Sequence, residues 1–358
     1  MGEKFYQVAS AEKTTKSAAE QETRTLLFLM GYLQDSEMIE TFIIDVFNDV
    51  TALDREETKI WDAQSKGDGQ CSPKEIGKDL VTLFRNFISI IDFNYYILSI
   101  KDISNKNLTL VAISRKNPIT ILTYSDFTDD AKAEIKNGLL VACNDKTYID
   151  NDYSEKDIDD FLNKVIIVLN NDKPQNYIKK IAFTKEEIID EKVLIQIFNE
   201  IKIKQISIKT SSDVNGIILN SVQDVHKLGR DLNFITINSL ILSRIINNDF
   251  LDKNNGSQYI PIYFSDYLIS LNMSDEDKID LLQDCVNDIY RILSFKNMNK
   301  EFWSLLNDIV IICKENKGLN VKEIYEMINK KNIYYSSIKV ESMLYFIACV
   351  KGGLKDED

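Results

Sequence analysis

The sequence predicts an α/β core followed by a mainly α-helical region, and three observations predict it. Short runs rich in Ile, Val, Phe and Tyr recur at 42–49, 60–66, 95–100, 108–114 and 165–170, the composition and length of strands. Helical signals fall between them, the clearest being Ser72-Pro73 with Glu75: a capping serine, a proline in the first helical position and an acid to close a capping box. Strands interspersed with helices imply a sheet covered on both faces. Beyond about residue 175 the strand runs give way to helical periodicity. The expected division is therefore a first domain at 1–174 and a second at 175–358.

The elements follow in order. Residues 1–11 read as loose. A helix is expected from about 13–17 to Leu33, with Leu26, Leu29, Met30 and Leu33 on one face and Glu22 at the start of that stripe. A strand at 42–49 continues or bends through 51–54 into the polar turn Asp54-Arg55-Glu56-Glu57. A second strand at 60–66 is ended by Gly67-Asp68-Gly69. Strand alternation places Asp62, Gln64 and Lys66 on one face and Trp61, Ala63 and Ser65 on the other, the more apolar and so the expected core face. One helix carrying Ile76, Leu80, Leu83, Phe84, Phe87 and Ile91 follows, then a helix at 129–141 and an acidic stretch at 150–160. In the second half, helices are expected at 186–201, 222–228, 237–246, 301–313, 321–329 and 337–350, the last stopped by Gly352-Gly353. Ser274 to Asp277 caps a further helix through Leu293, and 259–264 reads as a strand or extended connector.

Composition narrows the chemistry. His226 is the only histidine, which removes most Ser-His-Asp, Cys-His and histidine-rich metal mechanisms; beside apolar residues near a helix end, it reads as a surface or capping residue. The five cysteines are scattered, with no CxxC spacing, so reduced thiols and a cytoplasmic location are expected. No apolar run is long enough to span a bilayer, and no phosphate-binding glycine motif is present. A net charge of −13 argues against coating nucleic acid by bulk attraction. It leaves room for an enzyme that meets DNA through a local basic groove, a divalent metal or a partner subunit. The tyrosine pairs at 95–96 and 334–335 and the lysine pairs at 179–180 and 330–331 read as packing residues and solvated helix ends.

What remains is carboxylates, amides and lysines, and they gather in one stretch, 42–66. Phosphodiester hydrolysis is slow because negative charge repels the nucleophile and the leaving oxygen needs stabilising; a hard divalent cation answers both problems. Mg²⁺ needs only one or two carboxylates, a carbonyl and the substrate phosphate. Asp49 supplies a carboxylate, Gln64 a side-chain carbonyl, and Lys66 a charge to orient the attacking water. Asp62 is a further ligand candidate on the same face, and Glu22 one from the first helix. The spacing alone equally fits the solvated face of an edge strand.

The runs SAAEQETRTLLFLMGYL, IIDVFNDVT, IWDAQSKG, the capped helix and YYILSI, together about 15–115, resemble the nuclease domain of the CD-NTase-associated effector endonucleases of bacterial anti-phage defence. These belong to the PD-(D/E)xK superfamily and include the effector subunit of Lamassu systems. The resemblance implies a restriction-endonuclease-like mixed sheet flanked by helices, Mg²⁺ (or Mn²⁺) as cofactor and double-stranded DNA as substrate. It implies an SMC-like ATPase and an accessory subunit as partners, and homo-oligomerisation on activation. Asp49 takes the place of the family aspartate, Gln64 the acid-or-glutamine position and Lys66 the family lysine, with Glu22 or Gln21 as the polar residue of the first helix. The departure from most of the superfamily is Gln64 in place of Glu or Asp. The rival expectation, resting on Gln64 and weak local positive charge, is a non-catalytic adaptor with a decayed nuclease fold.

Overall fold

The computed structural model describes residues 6–9, 16–103, 118–144, 149, 151–182, 189–246, 260–294, 296–330 and 338–354. The strand expected at 108–114, the tyrosines at 334–335 and the second lysine of the pair at 330–331 lie outside them. The chain divides into two compact units, Met1–Tyr177 with Phe198–Phe234, and Ile178–Ile197 with Ile235–Asp358. The segment 198–234, expected in the second domain, thus packs with the first, because it supplies strands to it.

In chain order the first unit begins with β1 (Tyr6–Gln7), α1 (Lys16–Gly31), β2 (Ile39–Ile44), β3 (Val50–Asp54) and β4 (Ile60–Cys71). Then come α2 (Pro73–Asp79), α3 (Val81–Phe87), β5 (Tyr95–Ile103), β6 (Ile119–Thr123), α4 (Asp129–Cys143), α5 (Glu155–Leu162), β7 (Val165–Asn170) and α6 (Pro174–Ile181). After α7 (Glu191–Lys209), β8 (Ile218–Leu219) and β9 (Asp231–Asn233) complete it. Seven strands form one mixed sheet in the order β6-β7-β5-β4-β3-β2-β9. β4, β5 and β7 run parallel and the outer pairings are antiparallel. Within the stretch expected to be loose, the described residues Tyr6 and Gln7 pair with Leu219 and Ile218, and the Tyr6 hydroxyl donates to the carbonyls of Val46 and Phe47.

β4 is the strand on which the unit turns. It is central, so both of its faces are covered, and the expected split into a core face and a solvated face does not hold. Ser65 pairs with Ser99 of β5, and Ser99 accepts from Thr25 and Gln21 of α1; α1 therefore covers that face. Asp62 and Gln64 point the other way and are met by Asn86 and Thr82 of the α3 segment. The strand runs past Gly67-Asp68-Gly69 to Cys71, with a register shift against β5 between Lys66 and Gln70: the glycines make a bulge rather than a stop. The Ser72 capping box forms as expected, but the helix it starts ends at Asp79, and α3 begins at Val81. Gly77 of α2 and Gly138 of α4 meet so closely that a Cβ on Gly138 would lie 2.2 Å from the Lys74 carbonyl oxygen.

The second unit is helical: the end of α6, the start of α7, α8 (Phe234–Ile245) beyond its first residue, α9 (Ser265–Ser270), α10 (Asp275–Ser294), α11 (Lys296–Glu315), α12 (Val321–Lys330) and α13 (Val340–Gly353). The expected connector at 259–264 is a short 3₁₀ turn at Ile262–Phe264, with residue 259 outside the described set. α13 is buried along Ser342–Val350 and packs against α10, α11 and α12. It continues through Gly352 and Gly353, where a Cβ would strike the Ile246 carbonyl. Gly353 is the last residue of the helix, where a stop was expected, and it also permits a close approach. Among the described residues no helix is long and apolar enough to cross a membrane, and all five cysteines are buried and unbridged.

Candidate active site

Asp49 sits in the tight turn 45–49 between β2 and β3, not inside a strand as expected. Asp45 opens the turn in the left-handed region at φ 56°, and its amide donates to the Asp49 carbonyl at 3.2 Å. The register of β3 on β4 explains what Asp49 then does. Val50 pairs with Ala63, and β3 begins there, so β4 continues beyond Ala63 with no strand on that side. The Ser65 amide is left to find another acceptor. It donates to Asp49 Oδ2 at 2.7 Å, joined by the Ser65 hydroxyl at 2.8 Å and the Gln64 amide nitrogen at 2.8 Å. Asp49 and Gln64 are thereby brought side by side. Lys66, two residues further along β4 and half-buried, makes no ion pair among the described residues, yet its charge is felt at Asp49.

Glu22 reaches the same place from α1. It is buried, on a helix covered along most of its length, and its Oε1 accepts from Lys209 Nζ at 3.0 Å. Lys209 also lies 3.2 Å from Asp45 Oδ1, and Arg230, almost wholly buried, places Nη1 3.7 Å from Asp45 Oδ2. Gln21, the other first-helix candidate, points elsewhere and donates to Ser99 and to the Asn170 carbonyl.

Burial governs the electrostatics. It pushes the Glu22 carboxyl up to about 7; the nearby Asp49 charge adds to the shift and Lys209 opposes it. Asp49 is also raised, by burial first, against the Ser65 hydrogen bonds and the charges of Lys209 and Lys66. Two carboxyls held above their ordinary range, Glu22 and Asp49, thus lie within electrostatic reach of each other, with Lys209 and Lys66 partly offsetting their charge. That donor set, hard carboxylate and carbonyl oxygens, fits a magnesium-like cation, which needs few protein ligands. Among the described residues no group of three or more His, Cys, Asp or Glu side chains is arranged to hold a metal, so a cation here would draw on Asp49, Glu22 and the Gln64 carbonyl together with solvent. As the amide stands, its nitrogen faces Asp49 and its oxygen accepts from Thr82 at 3.2 Å, so it would have to turn over to serve.

Asp62 is not a ligand candidate. It is fully buried behind the site, with Oδ1 accepting from Thr51 at 2.8 Å and Oδ2 from Asn48 and Asn86 at 2.6 Å each. Burial raises it to about 6 against those three hydrogen bonds. His226 bridges Glu57, at 2.8 Å, and Asp231, far from Asp49 in role. Sequence reasoning missed Ser65, Asp45, Lys209 and Arg230. Ser65 carried a signal, a polar residue at a core-facing strand position; Lys209 carried none, being 187 positions from Glu22.

No protein-family model matches this chain, and neither a curated protein nor a solved structure shows significant similarity to it.

Proposed function

We propose that this protein is a Mg²⁺- or Mn²⁺-dependent endonuclease of double-stranded DNA with a restriction-endonuclease-like first domain, acting as the effector of an anti-phage or anti-plasmid defence complex. The observation that carries the reading is the contact of Asp49 with Gln64 where β4 runs on past the start of β3, with Glu22 and Lys66 within electrostatic reach of Asp49. When bound, a hard divalent cation supplies positive charge that polarises a phosphoryl oxygen. Asp49 and Glu22 would hold it, with the Gln64 carbonyl as a neutral third donor. Lys66 orients the attacking water and offsets the charge that develops on the phosphate. Ser65 fixes the Asp49 carboxylate through its amide and hydroxyl. The helical second unit binds the regulatory partners, an SMC-like ATPase and an accessory subunit; cleavage is switched on by oligomerisation or release from that complex.

The test is plasmid degradation with Mg²⁺, with and without partner subunits, for wild type, Lys66→Ala and Asp49→Ala. Each substitution is expected to cost at least about 100-fold in rate, the scale of losing a transition-state charge contact. Degradation left intact in both variants refutes the assignment. The second reading, a non-catalytic adaptor on a decayed nuclease fold, is favoured by the Gln64 amide turning its nitrogen to Asp49. It gains if wild type never cuts under any activating condition.

A further inference from the structure

Lys209 is the last residue of α7, a position where lysines ordinarily extend into solvent and complement the helix dipole. Here the side chain is only 11% exposed and its ammonium is shared between Glu22 at 3.0 Å and Asp45 at 3.2 Å. A lysine that merely tied α7 to α1 would need one carboxylate. This one lies between a carboxylate assigned to the metal and one that is not, and Asp45 is separately approached by Arg230. The turn carrying Asp49 is thus braced at Asp45 by two cations, of which only Lys209 also touches Glu22.

We propose that Lys209 is a positioning residue that acts as a tethered cation, competing with the divalent metal for Glu22 and so setting the metal affinity of the site. The inference rests on the nuclease reading given above. With no metal bound, the ammonium holds Glu22 in place and balances the charge of the turn. When a metal binds, Glu22 is drawn from Lys209, and the lysine retains Asp45. The competition is electrostatic: two cations drawn to one carboxylate repel each other, so removing the rival cation favours the metal.

The experiment measures Mn²⁺ binding to the full-length chain by calorimetry and electron paramagnetic resonance at pH 8, with thermal melting of the metal-free forms. Lys209→Met, which keeps the length and removes the charge, is expected to bind Mn²⁺ at least about tenfold tighter than wild type and to melt lower without metal. Lys209→Arg is expected to bind as wild type does. A structural lysine would lower melting and leave Mn²⁺ affinity unchanged or weaker, and that result overturns the proposal. Should Lys209→Met not fold, Asp45→Asn/Lys209→Met keeps the net charge of the site and answers the same question, tighter binding supporting the proposal and unchanged binding overturning it. Wild type binding Mn²⁺ with no gain in the variants defeats this inference alone. Absence of Mn²⁺ binding in every form defeats the nuclease reading with it.

Discussion

Replacing Glu22 by Gln should make the first unit more stable above neutral pH. Glu22 titrates near 7 in the fold against 4.5 for the ordinary side chain. The folded chain therefore keeps a proton that the unfolded chain releases between those values. Stability is greatest below pH 4.5 and is lost as pH rises through about 7. That displacement corresponds to about 3 kcal/mol. Between pH 5 and 8 the gap between Glu22→Gln and wild type should widen by roughly 2–3 kcal/mol in favour of the variant. The structure offers a clean reporter: Trp61 is buried in the first unit and stacked on Tyr95, and the other tryptophan, Trp303, belongs to the second. In a Trp303→Phe background, urea denaturation followed by tryptophan fluorescence at several pH values reads the first unit alone. The pH dependence of the difference is the readout, because loss of the Lys209 ion pair shifts the absolute values. Parallel curves for the two proteins across this range would falsify the claim that a buried, proton-holding carboxylate sits here.

Two further outcomes are expected. Gly138→Ala should destabilise the first unit by about 2 kcal/mol or more by urea denaturation, because the added Cβ meets the Lys74 carbonyl at 2.2 Å and helix propensity returns only about 1 kcal/mol; an unchanged midpoint rules out the close crossing of α2 and α4. His226 is lowered by burial but raised more by its hydrogen bonds to Asp231 and Glu57, for a net upward shift from 6.5. Its contribution is full below that value and fades as pH rises through the folded pKa. His226→Gln should therefore cost more at pH 6 than at pH 9, by up to about 1 kcal/mol for so exposed a pair, and an equal loss at both pH values contradicts the bridge.

The strands and helices were legible where local chemistry decides them. The Ser72-Pro73-Glu75 start and the Ser274 cap are formed by the residues that announce them, and the strand at 165–170 needs only its own apolar run. Asp49, Gln64 and Lys66 were visible as a spacing, because two neighbouring strands turn a short sequence separation into proximity. What sequence left hidden depends on long-range contacts. The fate of Asp62 turns on Asn48 and Asn86 arriving from a turn and a helix, and alternation alone gave it the same standing as Gln64. The break at Leu80 is invisible in an apolar stripe that continues through it. The return of 198–234 to the first unit rests on β9 pairing with β2 and β8 with β1, pairings of two or three residues too short to register as periodicity.

The carboxylate of Asp62 gives the site a second layer of wiring. It sits behind Asp49, held by neutral donors alone, and the two acids repel each other. The electric field at the front of the site is thus set in part from the rear, by a group that touches neither solvent nor any ligand. Asn48 belongs to the turn that carries Asp49, so exchanging Asp62 for asparagine would disturb both the charge behind Asp49 and the turn that holds it.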